Sequence, residues 1–263
     1  MTIHPTAIVD PGARLGGGIM IAAYAIVEDD VLIGERTELR AHVVIKRHTT
    51  LGARNTIHEG AILGGEPQDV AFAGGETRLV IGDDNRIREG VTIHRATQPG
   101  AATVVGSGCF LMAYAHIAHD NRIGDGAIIA NNAALAGYVE VGERAFISGG
   151  VVVHQFCRIG RLAMVGGNSA VRQDCLPFVT CDGAPARAYG LNIVGLRRAG
   201  IGAAQLRTLK EAFRLLLRAG LPIPTALEHL AALQDPLVDE MIAFVRASKR
   251  GFAHVAATGG VEA

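Results

Sequence analysis

LMAYAHIAHDNRIGDGAIIANNAALAGYV, residues 111–139, places an aliphatic side chain at every sixth position: Leu111, Ile117, Ile123, Ile129 and Leu135. Followed outward, the same phase holds from Ile3 to Leu63, returns at Ile81, Ile87 and Ile93, and runs unbroken from Val105 to Val171. Of the 29 positions in this phase, 26 are Ile, Leu or Val; the exceptions are Asp69, Gly75 and Pro99. A period of six fits neither the α-helix nor the coiled coil. It fits a solenoid of short parallel strands in which the repeated aliphatic points inward and stacks on the coils above and below. The fifth position of a hexad is usually small or β-branched, as at Ala7, Val31, Val43, Ala61, Val91, Ala127, Val139 and Val151, and fills the corner. A coil with three flat faces closes after about 18 residues.

The two breaks in phase predict loops leaving the wall at 69–80 (DVAFAGGETRLV) and 99–104 (PGAATV). Long loops on a compact scaffold are where binding residues collect. From about Gly190 the pattern changes. GLNIVGLRRAG, AAQLRTLKEAFRLLLRAG, IPTALEHLAALQ and PLVDEMIAFVRASKRG read as amphipathic helices punctuated by Pro and Gly. The expected organisation is an all-β solenoid over 1–189 and a small α-helical C-terminal domain over 190–263, with a frayed AATGGVEA tail.

Composition narrows the function classes. The chain has 263 residues, 49% hydrophobic and 19% charged, with equal numbers of acids and bases. MTIHPTAIVD lacks the basic and apolar regions of a signal peptide, and no aliphatic run is long enough to span a bilayer. The four cysteines (Cys109, Cys157, Cys175, Cys181) show no metal-ligand spacing and read as reduced thiols of a cytoplasmic protein. Seven bases against one acid (Glu211) between Arg187 and Arg218 point to an anionic partner. Zero net charge and little aromatic interleaving argue against nucleic acid.

An 18-residue coil also says which side chains are neighbours. His119, Gly137 and Gln155 all stand third in their hexads and fall in one column, while His116 closes the preceding hexad at a corner. Asn131, Gly149 and Gly167 form a column on another face; Asp125, Glu143 and Arg161 form a third, read as solvent-facing turns. His94 and His154 share the second position, which does not by itself bring them together. Asp120 follows His119 directly and can orient its ring. An imidazole is a natural general base near neutral pH, and a bare glycine N–H beside it can hold a developing oxyanion. That pair suffices for acyl transfer to a hydroxyl without a serine or cysteine nucleophile.

GGEPQD (64–69), IREGVTIHR (87–95), AHIAHD (115–120), ANNAALAG (130–137), VHQFCRIG (153–160), MVGGNSAV (164–171) and GLNIVGLRR (190–198) together resemble the UDP-N-acetylglucosamine 3-O-acyltransferases of lipid A synthesis, in order and spacing. The resemblance implies a left-handed parallel β-helix, although crossover chirality alone favours the opposite hand. It implies transfer of an (R)-3-hydroxyacyl chain from the phosphopantetheine thioester of acyl carrier protein to UDP-N-acetylglucosamine, with no other cofactor. It implies a cytoplasmic homotrimer with sites between subunits. By the same resemblance His119 is the base, Asp120 its partner and Gly137 the oxyanion donor. His116, His154 and Gln155 line the sugar and the pantetheine arm. Gln68, Asp69, His94, Asn192 and Arg198 contact the nucleotide sugar, and Met164 and Gly167 measure the acyl chain. A glycine at 167 implies a longer chain.

The chain departs from the family pattern at Ala71 (often lysine), Tyr138 and Pro185 (often histidine) and Val194 (often glutamate). These departures leave open a 3-amino analogue of the acceptor. The N-acyltransferase acting later in lipid A synthesis carries an N-terminal uridine-binding domain, for which hexads starting at Ile3 leave no room. Two other classes compete: a trimeric metal-dependent hydratase using His94, His116 and His119, and a non-catalytic solenoid in which His119 is dispensable.

Overall fold

The computed structural model describes residues 1–255; the AATGGVEA tail lies outside them. The chain winds into a three-sided prism whose walls are sheets of 11, 9 and 8 strands. We call them faces A, B and C in the order in which each coil visits them. One coil runs from Ile128–Ile129 on face A through Ala134–Leu135 on face B to Glu140–Val141 on face C. The next repeats it in parallel register, Ile128 beside Phe146, Ala134 beside Val152 and Glu140 beside Arg158. The 18-residue step read from the sequence is therefore the helical repeat of the fold.

Each two-residue strand has one side chain out and one in. From Ile21 to Val171 every aliphatic of the hexad phase is at most 3% exposed. Each inward residue contributes about 1.5–3 kcal/mol of burial. A single coil buries nothing on its own, which is why Ile3 in the first coil remains 38% exposed. The four-residue corners turn through a left-handed backbone conformation. Asp30, His48, Asp120, Tyr138 and Phe156 take it at the B/C edge, with φ between 50° and 65°.

The two phase breaks are excursions of whole hexads. Ile62 pairs with Thr92 across 30 residues and Thr92 with His116 across 24, against 18 elsewhere, so the phase survives both. Their boundaries differ from the expected 69–80 and 99–104. The chain leaves face B after Gly65 and after His94, and rejoins face C as Arg78–Ile81 and Ala102–Val105, paired over four residues. Inward Leu79 and Thr103 are fully buried, so the returning chain settles on the wall before the hexad start is reached. Both excursions leave from the B/C edge, in the two coils directly above His119.

The expected boundary at 189/190 falls inside a strand. Val179–Asp182 and Arg187–Leu191 form an antiparallel hairpin that ends face A, and the helices begin after it. They are α1 (Ile193–Arg198), α2 (Ala203–Leu217), α3 (Ile223–Ala231) and α4 (Pro236–Arg246). Buried Asp174 ties them to the prism, accepting from the Arg158 backbone N at 2.8 Å, from Arg158 Nε at 3.1 Å and from Ser248 Oγ at 2.8 Å. Arg161 is not the solvent-facing turn residue expected from its column. Its guanidinium forks onto Glu240 of α4 (2.7 Å) and lies over the Phe178 ring. The four cysteines are buried and free, and burial pushes the Cys109 and Cys157 thiols up to about 11.

Candidate active site

His119 and Asp120 occupy the B/C corner between strands His116–Ile117 and Arg122–Ile123. The corner is pinned from within by Asn121, whose Nδ2 donates to the Ala118, His119 and Ala136 carbonyls. Asp120 has φ of 59°, a conformation Asp tolerates, and its N–H donates to Thr103 Oγ1 at 2.7 Å. Its carboxylate is then 2.9 Å from His119 Nδ1. With Nδ1 held there, Nε2 is the ring nitrogen left for chemistry.

Gly137 lies one coil below, with the next residue, Tyr138, donating its N–H to the His119 carbonyl at 3.1 Å. A Cβ on Gly137 would stand 2.6 Å from His119 Nε2 and nearer still to Cε1, so the imidazole lies across bare backbone. The third-position amide of a hexad is a working donor elsewhere in this solenoid. Ala53 N binds Asp83 Oδ1 at 2.8 Å and Ser107 N binds Asp125 Oδ1 at 2.7 Å. At Gly137 the same N–H meets no protein acceptor among the described residues. It is a donor in reserve beside the imidazole.

His116 is not at a corner. It is the outward residue of its face B strand, paired beside Thr92, and its Nδ1 lies 2.7 Å from Thr92 Oγ1. Its ring meets His94 edge-on at 4.9 Å. Burial, then neighbouring His116 and His119, lowers His94 to about 4; burial, then His119, lowers His116. Both are therefore neutral hydrogen-bonding groups at neutral pH. His94 Nδ1 is buried without a partner. The nitrogens of His94, His116 and His119 do not form one cluster close enough to share an ion. Among the described residues, the groups that do are Asp30/His48/Glu76 and His58/Glu59/Glu89, elsewhere on the prism.

The other expected site residues divide between the B/C edge and face A. His154 and Gln155 are exposed on the B/C edge, one coil below Gly137, where Phe156 N donates to the Gly137 carbonyl at 3.2 Å. Exposed Gln68 and half-buried Asp69 lie in the first excursion of the same edge, and Asp69 Oδ1 accepts from Ala71 N at 2.9 Å. Met164, Asn192 and Arg198 instead line a cavity of about 390 Å³ on face A, with Val194 and Phe146. Gly167 is at the A/B corner nearby, where an added Cβ would find only the Gly149 carbonyl at 3.5 Å. Asn192 holds local structure together. Its Oδ1 caps α1 at Gly195 N (3.0 Å) and its Nδ2 donates to the Leu162 carbonyl (2.9 Å).

Two residues of the second excursion escaped the sequence reading. Arg95 is 6% exposed and clamps the excursions together, Nε on Thr77 Oγ1 and Nη2 on Glu66 Oε1, both at 3.1 Å. Thr97 donates to Asp120 from both its backbone N (3.1 Å) and its hydroxyl (2.8 Å). The one available signal was their position inside a phase break directly above the His119 corner.

Residues 174–253 match the family model described as UDP N-acetylglucosamine O-acyltransferase, domain 2, and residues 102–137 match the bacterial transferase hexapeptide model. The chain is 44% identical over 255 residues to the acyl-[acyl-carrier-protein]–UDP-N-acetylglucosamine O-acyltransferase of Syntrophobacter fumaroxidans, covering 95% of this chain and 99% of that one. It is 42% identical over 252 residues to the enzyme of the same name from Saccharophagus degradans, covering 95% and 98%. Among solved structures, UDP-N-acetylglucosamine O-acyltransferase from Moraxella catarrhalis superposes with a TM-score of 0.94 at 43% identity, over 97% of this chain and 100% of that one. The Arabidopsis UDP-N-acetylglucosamine acyltransferase superposes at 0.83 with 33% identity, over 95% and 99%. The fold is accordingly the left-handed parallel β-helix with a helical C-terminal part.

Proposed function

Because the chain belongs to the UDP-N-acetylglucosamine O-acyltransferase family of acyltransferases, we propose that it moves an (R)-3-hydroxyacyl chain from acyl carrier protein to the 3-hydroxyl of UDP-N-acetylglucosamine, with His119 as general base and no acyl-enzyme. In this reading it performs the first step of lipid A synthesis in the cytoplasm. The observation that carries it is the His119–Asp120 pair lying across the bare backbone of Gly137.

His119 Nε2 takes the proton of the sugar hydroxyl as its oxygen attacks the thioester carbonyl. The imidazolium that forms keeps its Nδ1–H on Asp120. The tetrahedral oxyanion accepts from the Gly137 N–H. Collapse breaks the C–S bond, and the thiolate leaves with the proton held on Nε2. Neutral His94 and His116 supply hydrogen bonds to the sugar, and His154 and Gln155 border the pantetheine arm. Gln68, Asp69 and Arg198 read the nucleotide sugar, and Asn192 orders that wall by capping α1. Met164 and Gly167 bound the acyl chain, and the open corner at Gly167 favours a long one. No resident cofactor is required: the thioester of acyl carrier protein is the donor.

In this reading the sites are shared between the chains of a trimer. Face B lies between the His119 edge and the Gly167 corner, which supports sites completed by a neighbouring chain. The outward column of face B suits that packing: from Ile8 through Val44 and His116 to Ala170 it carries no Asp, Glu, Lys or Arg. Faces A and C each carry several, among them Glu38 and Arg86, and Arg122 and Glu140. No helix of the described residues is long and apolar enough to cross a membrane.

The Syntrophobacter and Saccharophagus relatives are named for O-acyl transfer, which does not favour the 3-amino acceptor despite Ala71 and Val194. The test is acylation of UDP-N-acetylglucosamine by a series of 3-hydroxyacyl carrier proteins, wild type against His119→Ala. We expect a loss of about 10²-fold or more in the variant. Undiminished activity would refute the assignment of the base.

A further inference from the structure

Behind the His119–Asp120 pair stands a second layer of hydrogen bonds. Thr97 Oγ1 is 2.8 Å from Asp120 Oδ2, and Tyr138 Oη is 2.9 Å from Thr97 Oγ1. The order of donors follows from proton count. Asp120 as a carboxylate only accepts, so the single Thr97 hydroxyl proton goes to Asp120. The Thr97 oxygen is then the acceptor, and the phenol of Tyr138 donates to it. Thr97 is 7% exposed, and its backbone N–H supports the same carboxylate oxygen at 3.1 Å.

Tyr138 reaches this place through the coil repeat. Asp120, Tyr138 and Phe156 are the left-handed corner residues of three successive coils at the B/C edge. The Tyr138 ring stacks on Phe156 at 4.9 Å and presents its face or edge at right angles to His119 at 5.3 Å. From there its hydroxyl passes Asp120 to the excursion above. Thr97 is held in that excursion next to Arg95, which is bonded to Thr77 and Glu66.

We propose that Tyr138 and Thr97 form a positioning relay for the reaction: Tyr138 Oη–H to Thr97 Oγ1–H to Asp120, which fixes the carboxylate that orients His119. Neither hydroxyl is bonded to His119; both act through Asp120. The relay links the second excursion to the orientation of the base. It also gives Tyr138, one of the departures from the family pattern, a role in the mechanism. The inference rests on His119 being the base.

The experiment is steady-state acylation by the full-length protein, using UDP-N-acetylglucosamine and a 3-hydroxyacyl carrier protein. Thr97→Val is expected to lower kcat about 10- to 150-fold, the range for a lost hydrogen bond to a charged group, with KM within about twofold. Thr97→Ser, which keeps the hydroxyl, is expected within about threefold of wild type. Tyr138→Phe keeps the ring stack and removes only the neutral donor, for a loss of about 2- to 12-fold. Because Tyr138 acts through Thr97, the double variant should be no slower than Thr97→Val alone. Losses that multiply, a Thr97→Val enzyme with wild-type kcat, or a Thr97→Ser enzyme as slow as Thr97→Val would each overturn the relay. Should Thr97→Val fail to fold, full kcat in Tyr138→Phe overturns it on its own. His119→Ala separates the two readings. If it is inactive while Thr97→Val is fully active, the relay alone fails; if it is fully active, the base assignment fails and takes the relay with it.

Discussion

Gly137→Ala isolates what the column beneath His119 does. The backbone at Gly137 is in a region open to any residue, so alanine imposes no torsional strain there. What it imposes is a methyl 2.6 Å from His119 Nε2 and 3.0 Å from Nδ1, well inside van der Waals contact. The imidazole is a side chain on an edge, and it can swing away cheaply as far as folding is concerned. Swinging away breaks the 2.9 Å bond to Asp120 and removes Nε2 from its place beside the Gly137 amide. A hydrogen bond to a charged group is worth about 1.5–3 kcal/mol, or about 10- to 150-fold in rate, before any loss of base geometry. Full loss of general-base catalysis sets a ceiling of about 10⁴-fold. The expected result is a kcat reduced by about 10²-fold or more with a melting temperature within a few degrees of wild type. Gly17→Ala is the control: the same hexad position, with nothing within 4 Å of the added methyl, and activity unchanged. The assay is steady-state acylation alongside thermal unfolding. A folded Gly137→Ala enzyme keeping more than about half of wild-type kcat would show that the imidazole need not lie where it is found.

Asp174→Ala strands Arg158 beneath α4 and removes the anchor of Ser248, so urea unfolding should show about 3–5 kcal/mol of destabilisation. Arg214→Ala, in the fully exposed pair with Glu211, should show none that can be measured. His94 carries a pKa lowered to about 4 against 6.5 when unfolded, so its contribution is complete above about pH 6.5 and is lost as pH falls toward about 4. Denaturation of wild type and His94→Asn across that window should show the wild type losing up to about 2 kcal/mol more, allowing for partial solvent screening.

The wall of the prism was readable because its inward position is filled by one chemical class and repeats with one period. Even the excursions kept that period, being two hexads and one hexad long. Their ends were not readable: Arg78–Val80 and Ala102–Val104 pair as strand although no hexad start announces them. The His119–Gly137 column followed from the coil length alone. Thr97 did not, since residues in a loop have no register to place them, and its contact with Asp120 depends on how the excursion folds back. Arg161 was misread for a related reason: its column is set by the solenoid, but its partner Glu240 arrives from a helix 79 residues later.

The separation of the proposed site residues on the prism makes its own prediction. His119 is on the B/C edge, whereas Arg198 and Met164 line the face A cavity. If one chain held a whole site, a chain carrying His119→Ala and another carrying Arg198→Ala would be impaired separately and impaired together. If the sites are shared in a closed trimer, as proposed above, each takes its base from one chain and its Arg198 from the next. Random co-assembly of equal amounts of the two variants then gives both intact groups at about one site in four, recovering about a quarter of wild-type activity. The mixture should be unfolded and refolded together, since trimers already formed would not exchange. Recovery toward a quarter supports sites shared between chains. Activity no higher than the average of the two variants, with a trimer verified by light scattering, would put the whole site in one chain and leave face B as packing only.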